Sequence, residues 1–156
     1  MSIVSRAEAY IQECLSIAIK KYPQKLSLIA EKSGVPIEML LANENRDDTI
    51  RQYIALRCEG MMFGTPKAYL QKVQKVLAIE LEQDVLDKYI EIKASRDIIV
   101  HNLGTINKMC IEKAGSARRG DIGDELEIDA GYFRQVIITV KSLSGLIQRE
   151  TEKAYK

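Results

Sequence analysis

The chain has 156 residues, 46% hydrophobic and 29% charged, with a formal net charge of +1. That is the size and balance of one globular domain, residues 1–156, able to bury roughly 70% of its unfolded surface around a single core. The same figures exclude a disordered polymer and a globally basic nucleic-acid binder, so any nucleic acid must be held by a local patch.

Three widely spaced cysteines, no C-x-x-C pair and a single histidine leave too few ligands for a zinc site. Cys14, Cys58 and Cys110 read as small core residues in a reducing compartment. The opening MSIVSRAEAY carries Arg6 and Glu8 where a signal peptide needs apolar residues, and no apolar run reaches membrane-spanning length. A cytoplasmic protein with no membrane association is expected.

In chain order, Ser5-x-x-Glu8 predicts a capping box and Val4 a hydrophobic staple at the start of a first helix. Its stripe is Ala7, Ile11, Cys14, Leu15, Ala18, Ile19 and Tyr22, and Pro23 breaks it. Leu26 to Lys32 predicts a short helix closed by Ser33-Gly34, and Pro36 starts another brief turn through Leu41. Ala42 to Asp48 is polar and reads as a loop. Thr49 to Glu59 is helical again and stops near Gly60. At Phe63-Gly64-Thr65-Pro66 a boundary is expected, with Thr65 capping and Pro66 at the first position of a helix that runs to about Ile79.

The segment Asp84 to Asn102, DVLDKYIEIKASRDIIVHN, has the periodicity of an amphipathic helix. At 100° per residue Asp97 and His101 lie one turn apart on one side, while Arg96 lies about 140° around the axis from His101. Both could line a groove that the helix crosses edge-on, and a second copy of the helix could supply the opposite wall. Gly104 interrupts this helix, which is expected to continue, bent, through Ile106 to about Lys113. Ala114 to Gly120 is small, basic and open-looking, and Gly123 prolongs it. Asp129 caps a last helix whose stripe runs from Tyr132 to Ile147 before a charged tail. No segment alternates like a strand. The fold expected is all-α, a four-helix bundle with short accessory helices.

The block Arg96-Asp97-Ile98-Ile99-Val100-His101-Asn102 resembles the R-x4-6-H motif of the HEPN superfamily, small all-helical domains many of which are metal-independent endoribonucleases. Asp97 matches the usual polar residue after the arginine, and Asn102 the frequent asparagine after the histidine. The continuation GTINKMCIEKAG is similar to bacterial members of the RNase L-like HEPN group. The resemblance implies an all-helical fold and a composite catalytic site at a homodimer interface, with Arg96 and His101 as catalytic residues. It also implies an RNA substrate, a prokaryotic toxin or defence role, and an antitoxin or other regulatory protein as a partner. No cofactor and no metal are expected.

The chemistry suits these residue types. RNA carries its own nucleophile, the 2′-hydroxyl, so a metal-free ribonuclease needs a group that moves protons and a cation that steadies the phosphorane. A histidine does the first and a guanidinium the second. One histidine does not easily serve as both base and acid, and two-fold symmetry would supply another.

Supporting roles fall to Asp97, which orients His101 or tunes its pKa by a nearby negative charge, or is an ordinary surface acid. Asn102 either bonds the substrate or a partner subunit, or only eases the chain toward Gly104. Lys93, Arg118 and Arg119 are candidate RNA phosphate contacts, each set against a solvated-face reading. The alternative function is a catalytically inert HEPN module for dimerisation, nucleotide binding or partner binding. An enzyme using a small-molecule cofactor lacks a glycine-rich phosphate loop and a metal cluster.

Overall fold

The computed structural model describes residues 3–29, 34–62 and 64–156. These form an all-α fold: α1 (Ile3–Lys21), α2 (Ile37–Ala42), α3 (Arg46–Met62), α4 (Pro66–Leu77), α5 (Gln83–Asn102), α6 (Lys108–Ala114) and α7 (Ala130–Ala154), with short 3₁₀ turns at Pro23–Leu28 and Gly115–Ala117. No strand forms among the described residues; one isolated bridge joins Thr105 to Glu125. No described helix is long and apolar enough to cross a membrane.

The main core is shared by five long helices. Stripes at three- and four-residue spacing meet there: Ile11 and Leu15 from α1, Ile54 and Cys58 from α3, Tyr69, Val73 and Leu77 from α4, Tyr89 from α5, and Leu143 and Ile147 from α7. A second, smaller cluster of Ala94, Ile98, Ile106, Cys110 and Ala114 lies under the C-terminal half of α5. α5 therefore buries residues toward α7, α6, α4 and α1 rather than along one stripe. It is a central helix with a local polar strip, not the simply amphipathic helix expected.

Several expected boundaries move. Ser5 is inside α1, which already includes Ile3 and Val4, and Glu8 reaches across to Lys93 of α5 instead of closing a capping box. The segment after Pro23 is a 3₁₀ turn ending at Leu28; Ala30 to Ser33 and Phe63 lie outside the described residues. α3 starts at Arg46 because Asn45 Oδ1 accepts from the Asp48 amide at 2.8 Å, and it runs on through Gly60 to Met62. The Thr65 and Asp129 caps form as expected, accepting from the amides of Ala68 at 3.3 Å and Tyr132 at 2.6 Å.

The largest departure is at Gly104. α5 does not bend and continue. It stops at Asn102, Leu103 takes a left-handed conformation with φ 53° and Gly104 follows at φ 86°. Asn107 then caps α6 as a separate helix by accepting from the Cys110 amide at 3.0 Å, and α6 folds back against α5. The glycine-rich stretch is not open either. Ile106 N–H donates to Asp124 O, and Gly123 and Leu126 N–H donate to Ile106 O and Gly104 O, all at 2.9 Å, pinning that stretch to the turn.

Candidate functional site

On α5 the residues Arg96, Lys93, Asp97 and His101 follow one another around the helix within about 140°. All four line one open cleft of ≈ 430 Å³. The strip is edged by Arg96 on one side and His101 on the other, so the helix does cross the groove edge-on. α6 contributes Lys113 to the same cleft, α1 contributes Glu8 and Gln12, and α3 contributes Glu59. The far wall is thus built by this chain's own helices.

Asp97 is the hub of the charges. Its Oδ1 accepts from Arg96 Nη1 at 2.8 Å and its Oδ2 from Lys113 Nζ at 3.1 Å. Partial burial pushes the carboxyl upward, but the hydrogen bonds from Arg96 and Lys113 outweigh it and hold the group below the usual carboxylate range. The side chains of Arg96, Asp97 and Lys113 are 33%, 20% and 30% exposed, so the cluster is reachable from the cleft. Arg96 Nε is buried with no hydrogen-bond partner among the described residues.

His101 is exposed, one turn beyond Asp97. Asp97 does not orient it: among the described residues no hydrogen bond or ion pair joins the two. Asn102 braces the turn, donating from Nδ2 to Thr105 O, which is the structural alternative for that residue.

Lys93 is not on a solvated face. It is ion-paired with Glu8, their side chains only 9% and 16% exposed, and its ammonium lies 5.3 Å from the centre of the Tyr69 ring. It forms part of the cleft wall with its charge already matched. Arg118 and Arg119 are not brought to the cleft. Arg118 pairs with Asp121 at 3.4 Å. Arg119 lies 3.9 Å from the Tyr132 ring centre, donates to Glu127 O at 2.8 Å and approaches Glu91, a half-buried acid raised by its burial against hydrogen bonds from Ser95 and Tyr132.

Sequence reasoning missed Lys113, Glu8 and Glu59. Lys113 is sixteen residues from Asp97, and a helix continuing through Gly104 would have carried it away. The signal for the reversal was Asn107, a capping residue type just before the apolar pattern of α6. Among the described residues no group of three or more His, Cys, Asp or Glu side chains is arranged to hold a metal ion. No protein-family model matches the chain, and no curated protein or solved structure is significantly similar to it.

Proposed function

We propose that the protein is a metal-independent endoribonuclease of HEPN type, working as a toxin or defence effector. The observation that carries this reading is that Arg96 and His101, about 140° apart on their helix, line one open cleft together with a lysine from another helix. In this mechanism the 2′-hydroxyl loses its proton to His101 and attacks phosphorus. The bond from phosphorus to the 5′-oxygen breaks, leaving a 2′,3′-cyclic phosphate, and the departing oxygen takes a proton to become a 5′-hydroxyl. Arg96, with Lys113 nearby, stabilises the charge on the non-bridging oxygens.

A second proton-transfer group comes from a two-fold homodimer that brings two copies of His101 together. The exposed apolar residues Ile99, Val100 and Leu103 beside His101 support such an interface. A protein inhibitor would restrain the enzyme in its host. The inert-module reading is favoured by one observation, that the cations of the cleft already have partners inside the chain: Arg96 and Lys113 share Asp97, and Lys93 pairs with Glu8.

Incubation of purified protein with RNA in EDTA separates the two. EDTA-resistant cleavage yielding cyclic-phosphate ends, reduced at least about 100-fold in both His101→Ala and Arg96→Ala, is the expected result. Equal activity in all three proteins, or none in the wild type, overturns the nuclease reading and leaves the inert module.

A further inference from the structure

Behind the charge cluster lies a second, smaller cavity. It has a volume of ≈ 130 Å³ and shares Asp97, His101 and Lys113 with the main cleft. These three side chains therefore stand between two spaces, a large polar one and a small one walled by Ala94, Ile98, Met109 and Cys110. The small volume is about four waters' share of liquid, enough for one planar heterocycle and too little for a second nucleotide. Three of its walls belong to the buried cluster that joins α5 to α6. Met109, exposed at the rim, is a flexible side chain suited to covering a flat ring.

Asn102 and Asn107 line this cavity, and each amide has one atom committed to a backbone partner. Asn102 Nδ2 donates to Thr105 O, so its Oδ1 is the atom left as an acceptor. Asn107 Oδ1 accepts from Cys110 N–H, so its Nδ2 is left as a donor. One donor and one acceptor beside the apolar wall of Ala94, Ile98, Met109 and Cys110 match the edge of a nucleobase, which offers both.

We propose that this cavity is a nucleobase subsite, holding the base of one of the two nucleotides that flank the scissile phosphate and giving the enzyme a sequence preference. The inference deepens the ribonuclease reading and rests on it for the position of the phosphate. A base in the small cavity and the rest of the strand along the large cleft place the joining phosphate at the ridge of Asp97, His101 and Lys113, beside Arg96. Asn102 and Asn107 then act on base identity, and Met109 on affinity for any base.

Binding is tested without relying on turnover. The probes are the sixteen dinucleotides with a 2′-O-methyl group at the attacking position, which cannot be cleaved, and matching dinucleotides with an abasic sugar at either position. Resonances of Met109 and Cys110 are followed by NMR in the wild type and in Asn107→Ser, which keeps the capping oxygen but loses the amide donor. The expected result is perturbation of Met109 and Cys110 by base-bearing probes only, with an affinity preference among bases that falls roughly tenfold in Asn107→Ser. Equal perturbation by the abasic probes, an unchanged preference in Asn107→Ser, or no perturbation by any probe overturns the subsite. RNA cleavage measured in parallel keeps the two readings apart. Cleavage by the wild type with Met109 and Cys110 unperturbed rejects the subsite and keeps the nuclease. Base-dependent binding with no cleavage keeps the subsite and rejects the nuclease.

Discussion

Replacing Asp97 with asparagine isolates the charge at the hub of the site while keeping its shape. Two charge-assisted hydrogen bonds end on this carboxylate, at 2.8 Å and 3.1 Å, and such bonds contribute about 1.5–3 kcal/mol each when desolvated. Arg96 and Lys113 remain about one-third exposed, so solvent screening brings each bond toward the 0–1 kcal/mol typical of surface ion pairs. Asparagine also keeps one acceptor. The net loss expected is about 1–2 kcal/mol, a fall in Tm of about 2–8 °C for a chain of this size.

The sign of the pH dependence follows from the depressed carboxyl. A carboxylate below its ordinary value contributes stability that is complete above the unfolded value, near 3.9, and is lost as pH falls through the folded one. Urea unfolding followed by circular dichroism at a series of pH values should therefore show a gap between wild type and Asp97→Asn at pH 7 that closes as pH falls below about 4. A gap absent at pH 7, or one of constant size down to acid, would refute the assignment of Asp97 as the anionic hub.

Other substitutions test other parts of the structure. Lys93→Met alone should cost about 2–4 kcal/mol because it leaves Glu8 charged and mostly buried; adding Glu8→Leu should recover most of that loss, and a double-mutant cycle by urea unfolding measures the coupling. Leu143→Ala removes a fully buried side chain at the meeting of the core helices and should cost about 2–5 kcal/mol by the same assay. Leu103→Gly should raise the Tm of the monomer slightly, measured at concentrations too low for dimerisation: a left-handed residue with a side chain costs about 1–2 kcal/mol, glycine's unfolded-state entropy takes back about 0.5–1, and a side chain 96% exposed in the single chain loses no packing within it.

The apolar stripes of the first and last helices, the Thr65-Pro66 and Asp129 starts and the all-α class were determined by the sequence itself, because each depends on residues within a turn or two of one another. Helical spacing also placed Asp97 and His101 one turn apart and Arg96 well around the axis. Whether that strip faced water or a groove could not be read from it, because a polar strip serves either. The tertiary structure decided it by setting α1 and α3 across from α5. The same packing drew Lys93 into an ion pair with a residue 85 positions away and brought Lys113 back over Gly104 to share the carboxylate of Asp97. Arg118 and Arg119, basic and flanked by glycines, read as free cations in one dimension; folding tied them to Asp121, Glu127 and Tyr132. Local propensity determines where helices start and stop, whereas the pairing of charges depends on which faces meet, and that is set by burial of the whole core.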